Sequence, residues 1–298
     1  MRVFVTGASG FIGSAVVQEL LGAGHQVLGL ARSAASAQKL TAAGAAVHEG
    51  SLDDLDSLRR GAGAADAVIH LAFIHDFSAY AAAAETDRQA IAALGEVLAG
   101  TGRPLLVTGG VAGARVETDS LTHSMRGSDA AAEALVGQGL RAMVVRLPPS
   151  VYGQSEQGAA AGFTSMLIQL ARKTGVSAYI EDGQNRWPAV HRLDAARLYR
   201  LALEHGPDGA RYHGVADEGI PVRDLAEAIG RHLGLPVVSK SSAEAPAHFG
   251  FMAAFAGLDL AASSALTQQQ LGWRPTQPGL LADLETGDYF NFTGYEGY

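Results

Sequence analysis

The stretch MRVFVTGASGFIG, residues 1–13, decides how the rest of the chain is read. Arg2 to Thr6 is a short β-branched and aromatic run with the composition of a buried strand. Gly7, Gly10 and Gly13 follow at even spacing, and Ala15 to Leu21 opens an apolar pattern of helical period. Strand, tight glycine turn and helix, in that order, form the unit that accepts a dinucleotide. Gly7 permits the turn, Gly10 lets the backbone approach a pyrophosphate, and Gly13 lets the helix pack closely on the strand. The free N–H groups and positive dipole end of that helix face the phosphates, which places Ser9, Phe11 and Ile12 beside them.

Composition narrows the class of partner. The 298 residues are 48% hydrophobic and 17% charged, a globular balance with enough length for a full core. No apolar run reaches the roughly 18 residues of a membrane span, and the first apolar stretch reads as the strand itself, so neither a membrane partner nor a signal peptide is expected. A formal charge of −8 gives no basic footprint for nucleic acid. The sequence contains no cysteine, and its ten histidines show no ligand spacing, so no disulfide and no metal is expected. A cytoplasmic protein with a small-molecule substrate is the expectation.

Working outward, His25 to Ala31 is a second strand, ending at Arg32 and Ser33. An acid at this place selects NAD through the ribose 2′-hydroxyl. Here Arg32 stands instead, with donors suited to a 2′-phosphate, so NADP is favoured over NAD. A helix over Ser36 to Ala43, a strand over Ala46 to Glu49 and a helix capped by Asp53 or Asp54 follow, with Ser51 and Leu52 expected near the adenine. Ala67 to Ala72 is the fourth strand. Because open parallel sheets bind ligands beyond their carboxyl ends, Leu71, Ala72, Phe73 and the exposed His75 are placed at the cleft. A long Ala-rich helix over Tyr80 to Ala99 leads to a fifth strand, Pro104 to Thr108. A helix over Ser128 to Gln138 leads to a sixth, Arg141 to Leu147, stopped by Pro148 and Pro149.

Alternating strands and helices imply an α/β fold: a Rossmann-type doubly wound parallel sheet with a smaller C-terminal substrate-binding region. The division is drawn at 1–155 for the dinucleotide-binding core and 156–298 for the substrate-binding region, with about 189–204 returning to the core. Beyond Gly153 the pattern loosens. Helices are expected over Phe163 to Lys173, Ala195 to Glu204, Val222 to Leu233, Ala243 to Gly257 and Thr267 to Leu271, with strands near Tyr212 to Val215 and Pro236 to Ser239.

The chain resembles the extended short-chain dehydrogenase/reductase superfamily, in its NAD-dependent epimerase/dehydratase-like group. The resemblance rests on Met1 to Ser14, on His70-Leu71-Ala72, on RLPPSVYG at 146–153, on the His-x-x-Asp stretch at 191–194 and on LGWRP at 271–275. It implies a Tyr-x-x-x-Lys pair and a hydroxyl after the fifth strand, the Tyr moving a proton at the substrate oxygen and the Lys lowering its pKa. Aligning residues 125–129 with that pair puts Met125 at the Tyr position and Asp129 at the Lys position, so the relay is absent. The usual hydroxyl falls at Gly110, Asp87 replaces a customary Asn, and Ser51 replaces a customary Asp. Restoring the pair would need Met125→Tyr together with Asp129→Lys.

Thr108, His123, Ser124, Tyr152 and His191 are the side chains expected within reach of the cleft as proton donors. Thr108 and Pro148 also belong to the expected cofactor wall. Phe73, Ile74, Phe77, Pro149, Trp187, Phe249 and Phe251 would line a pocket for an apolar or aromatic substrate. The leading expectation is an NADP-dependent oxidoreductase acting on a carbonyl compound with a non-standard proton donor. Its rivals are a protein that senses NADP without turnover and a non-redox lyase, isomerase or cyclase on the same fold. The resemblance also implies a homodimer through the helices after strands four and five, with Ile91, Leu94, Leu98, Leu135 and Val136 as apolar contacts.

Overall fold

The computed structural model describes residues 1–76, 79–121, 126–155, 158–160 and 162–291. The first half alternates β1 (Arg2–Thr6), α1 (Phe11–Gly22), β2 (Gln26–Ala31), α2 (Ala34–Ala42), β3 (Ala46–Glu49) and α3 (Leu55–Gly63). It continues with β4 (Ala67–His70), α4 (Tyr80–Leu98), β5 (Leu105–Gly110), α5 (Ser128–Gly137) and β6 (Ala142–Leu147). Then come β7 (Ser150–Ser155), β8 (Gly158–Ala160), α6 (Phe163–Thr174), β9 (Ser177–Ile180), β10 (Arg186–His191), α7 (Arg192–His205) and β11 (Arg211–His213). The chain closes with β12 (Asp217–Pro221), α8 (Val222–Leu233), β13 (Val237–Lys240), α9 (Ala245–Phe249), α10 (Ala253–Ala256), α11 (Ala265–Leu271) and α12 (Leu280–Thr286).

A seven-stranded parallel sheet of order β11-β6-β5-β4-β1-β2-β3 forms the centre. Period-two alternation sorts its side chains between two apolar layers. Val3, Val5, Ile69, Leu106 and Val145 meet α1 and α7 on one face, whereas Phe4, Val68, Leu105, Val107 and Val144 meet α3, α4 and α5 on the other. The strand order reverses between β1 and β4, the switch point where open α/β sheets hold their ligands.

A second apolar cluster gathers Tyr152, Leu167, Trp187, Leu225, Phe249 and Leu284 around a four-stranded sheet of order β12-β10-β7-β8. Two features tie it to the centre, and a third closes the cluster on itself. α7 packs along α1. Asp194, the acid of the His-x-x-Asp stretch, accepts from the backbone N–H groups of Thr276 and Gln277, and its own carbonyl accepts 2.9 Å from the indole of buried Trp273. One residue, through its carbonyl and its carboxylate, thus holds the LGWRP segment and the two residues after it in place. Asp217 likewise accepts from the N–H of Leu280 at 2.9 Å.

Several expected boundaries shift. The fourth strand stops at His70: the Leu71 N–H is shared between the Thr6 carbonyl at 3.3 Å and the Thr6 hydroxyl at 3.2 Å, and the Ala72 N–H goes to that hydroxyl alone. The helix expected from Ala195 begins at Arg192, since His191 caps it by accepting from the N–H of Leu193. Over 243–257 the single expected helix is broken into α9, a 3₁₀ turn at Gly250–Met252 and α10, with Gly250 at φ +57.

The apolar contacts expected at a dimer interface face inward instead. Ile91, Leu94, Leu98 and Leu135 are buried against the subunit's own sheet, and Gly95 packs closely under Leu135. They belong to this fold's core because the α4 and α5 stripes supply the layer that covers Phe4, Val68 and Val107.

Candidate active site

The glycine turn is shaped by contacts that a side chain would fill. Gly7 sits at φ +68, where a Cβ would come within 2.8 Å of the Ala72 nitrogen. A Cβ on Gly13 would lie 2.0 Å from the Gly7 carbonyl oxygen, and Gly10 donates its N–H to that same oxygen at 3.0 Å. Gly10 is the N-cap of α1 and uses no side chain to cap it, so the N–H groups of the first helical turn are presented toward the open end of β1. This cradle has the shape and donors that a pyrophosphate needs. Ser9, Phe11 and Ile12 line it, partly exposed.

Arg192 locks the turn from behind. Its guanidinium donates to the Phe11 carbonyl at 2.9 Å, to the Ser14 hydroxyl at 2.6 Å and to the Gln154 carbonyl at 2.6 Å, and it lies 4.9 Å from the centre of the Phe11 ring. One side chain from α7 therefore joins the glycine turn to β7. Sequence reasoning missed it, because Arg192 is 181 residues from Phe11.

At the end of β2, Arg32 is exposed and makes no hydrogen bond or ion pair with any described residue. Ser33 beside it caps α2, accepting from the N–H of Ser36 at 3.2 Å. Ser51 and Leu52 are half-buried past the end of β3, and it is Asp54 that caps α3.

A chain of polar groups starts at the switch point. Thr6 ends β1 and His70 ends β4, with the Thr6 hydroxyl 2.8 Å from His70 Nδ1. The hydroxyl oxygen already accepts from Leu71 and Ala72, so its proton goes to Nδ1 and the imidazole carries its own proton on Nε2. That Nε2 donates to Asp87 Oδ1 at 3.1 Å. The Ser128 hydroxyl donates to Asp87 Oδ2 at 2.7 Å, and Arg126 presents its Nε and Nη2 edge at 3.5 and 3.3 Å. Burial works against the Asp87 carboxylate, but the His70 hydrogen bond, the Arg126 charge and Ser128 outweigh it and hold its pKa at about 2. Asp87 in place of an amide thus has a physical reason: it is the counter-ion of Arg126. The Arg126 guanidinium also lies 4.2 Å over the Phe73 ring, in the loop after β4.

The residue at the Lys position has a different task. Asp129 accepts from Arg146 Nε at 2.7 Å in a pair with almost no solvent exposure. Arg146 Nη1 donates to the Glu117 carbonyl at 3.3 Å and lies 3.4 Å from His213 Nε2. Burial holds His213 below its ordinary pKa, and its Nδ1 donates to the Ser263 carbonyl at 2.8 Å. An Asp129→Lys change, alone or with Met125→Tyr, would set an ammonium against this buried guanidinium.

Of the expected proton donors that lie among the described residues, Tyr152 and His191 pack edge to face with ring centres 5.4 Å apart, and Thr108, Tyr152 and His191 are each tied up in hydrogen bonds of their own. Thr108 is buried at the end of β5, its hydroxyl donating to the His70 carbonyl and meeting the Tyr199 hydroxyl, each at 2.8 Å. Tyr152 corrects the expectation most clearly. Fully buried, it donates to the Pro278 carbonyl at 2.7 Å, and burial together with nearby Asp217 pushes its pKa far up. His191 is the α7 cap, and burial lowers its pKa. His123 and Ser124 lie outside the described residues, as do Met125 and Phe77. Trp187 and Phe249, expected at a substrate pocket, are core residues of the second cluster, and Pro148 is buried behind β6. Among the described residues, no group of histidines and acids is placed to hold a metal.

A model of the family described as NAD dependent epimerase/dehydratase matches residues 3–99, which include the glycine turn and the Thr6–His70–Asp87 chain. The chain belongs to this family. An uncharacterized protein of Schizosaccharomyces pombe is 48% identical over 97% of this chain and 100% of its own length. A 4-hydroxy-2-methyl-3-oxo-4-farnesyl-3,4-dihydroquinoline-1-oxide ketoreductase of Stigmatella aurantiaca is 28% identical, covering 84% of this chain and 80% of that protein. Among solved structures, the dTDP-glucose 4,6-dehydratase DesIV of Streptomyces venezuelae, with NAD bound, superposes with a TM-score of 0.74 at 22% identity, covering 98% of this chain and 97% of that one. The seven-stranded sheet and its switch point are therefore the fold of this family.

Proposed function

We propose that the chain is an NADP-dependent oxidoreductase that reduces a small or medium, apolar or aromatic carbonyl compound. The observation that carries this reading is Arg32: an exposed guanidinium with no described partner, at the strand end where an acid would select NAD. The glycine cradle and the first turn of α1 would hold the pyrophosphate, Ser33, Ser51 and Leu52 the adenosine end, and Leu71, Ala72, Phe73, Thr108 and Pro148 the wall toward the nicotinamide. When bound, the reduced cofactor supplies a hydride. The chain's own task is to exclude water and to receive charge on the substrate oxygen. The ketoreductase relative supports carbonyl reduction.

On this reading residues 1–155 serve the cofactor and 156–298 the substrate, with α7 belonging to the cofactor side. A homodimer is part of the proposal. With the larger apolar side chains turned inward, its interface would use the outward faces of α4 and α5, where Ala81, Ala82, Gln89 and Ala134 are exposed. One observation favours a second reading, a protein that binds NADP without turnover: Asp129, at the Lys position, is committed to Arg146. Titrating NADPH and NADH, then following reduced-nicotinamide absorbance against ketones, aldehydes and imines, separates the two. NADPH preference with turnover supports the proposal, and NADPH binding without turnover supports the second reading.

A further inference from the structure

The family relay leaves a question of charge: what meets the negative charge that grows on a carbonyl oxygen when neither a Tyr nor a Lys is there? Five features converge on Arg126. It stands one residue after the vacated Tyr position, in the segment leading into α5. Its Nε and Nη2 edge is spent on Asp87, and no described residue accepts from Nη1. It is anchored from two elements, by Asp87 on α4 and by the Phe73 ring 4.2 Å away in the loop beyond β4. It retains some exposure, 15% for the side chain, whereas its counter-ion is 1% exposed. Through Asp87, His70 and Thr6 it is braced against the ends of β4 and β1, the switch point of the sheet.

We propose that Arg126, through Nη1, is a catalytic residue that stabilises the oxyanion of the carbonyl substrate in place of the missing Tyr–Lys pair. This rests on the carbonyl-reducing reading above. The carbonyl carbon accepts a hydride with its electron pair from the reduced nicotinamide, which is thereby oxidised. The C=O π pair moves to oxygen, and the resulting alkoxide is held against the guanidinium. It then takes a proton from water, leaving hydroxide to the buffer. Arg126 gives up no proton, because a guanidinium keeps its charge. Asp87 is a positioning residue: it fixes the plane of the fork and leaves the opposite edge for the substrate.

The test uses the full chain with two probes, 4-nitrobenzaldehyde as substrate and benzoate as an anionic mimic of the charged oxygen, in wild type, Arg126→Gln and Arg126→Lys. Loss of one oxyanion donor predicts that Arg126→Gln lowers kcat by about 10²–10³-fold. KM for NADPH and the affinity for NADP⁺ should stay near wild type, benzoate binding to the NADP⁺ complex should be lost, and Arg126→Lys should restore part of both. Melting curves establish that each variant is folded. Wild-type kcat and benzoate affinity in folded Arg126→Gln would overturn the proposal, as would a wild-type NADP⁺ complex that ignores benzoate. A parallel fall in NADP⁺ affinity would overturn it too, by making Arg126 a support of the cofactor loop. If wild type binds benzoate through Arg126 but reduces no aldehyde, the anion site stands and the carbonyl-reducing reading fails.

Discussion

Three arginines, Arg32, Arg126 and Arg146, differ in how each is paired. Arg32 makes no hydrogen bond or ion pair with a described residue, so on the proposed NADP reading its removal costs the fold little and the binding of a 2′-phosphate much. Arg32→Ala is expected to weaken NADP binding by about 1.5–3 kcal/mol while leaving NAD nearly unchanged, as read by calorimetric titration of both; equal losses would contradict the assignment. Arg146 is the opposite case, buried with Asp129 as its partner at 2.7 Å. Breaking such a pair leaves an uncompensated charge, so Asp129→Lys should lower folding stability by about 3–5 kcal/mol or more in denaturant titrations. A variant as stable as wild type would show that the pair is not holding β6 to α5. The place of Arg32 was legible in the sequence because it depends only on where a strand of six residues ends. The Asp87–Arg126 and Asp129–Arg146 pairs were not, since their partners meet only when α4, α5 and β6 are folded side by side, 39 and 17 residues apart.

Among the elements, the glycine turn, β1 and α1 followed directly from residues 1–13, because a tight turn, a close approach and a helix start are all local demands. β10 and β12 were harder. β12 reads DEGIP, a sequence with two acids, a glycine and a proline that no propensity scale favours, and it is a strand because β10 pairs with it antiparallel. α12, residues Leu280–Thr286, is likewise held by its apolar face, Leu280 and Leu284 packing into the second core. α7 joins the two halves, and Arg192 at its start is the joint. Arg192→Met keeps the stem and removes the guanidinium, so the glycine turn loses its brace on the Phe11 carbonyl. Dinucleotide affinity should then fall by about tenfold, with faster amide exchange in the first turn of α1 than in the rest of that helix. Unchanged affinity and exchange would mean that the turn holds itself.

At the scale of the whole molecule, two apolar cores share one chain, and the ligand cleft proposed here lies where the sheet order reverses. The outer faces of α4 and α5 carry small residues with Glu85, Arg88 and Glu96 among them, so an interface there would be more polar than the buried stripe that the sequence suggested. Light scattering at high protein concentration should give twice the chain mass, and Ala82→Arg should return it to one without loss of the fold; a wild-type monomer would rule the dimer out. The central claim is hydride transfer to a carbonyl carbon, and isotope transfer tests it most directly. With NADPH carrying deuterium at nicotinamide C4 and 4-nitrobenzaldehyde as acceptor, the account predicts deuterium on the benzylic carbon of the alcohol, in proportion to NADPH consumed. Tight NADPH binding with no label in the product would contradict it.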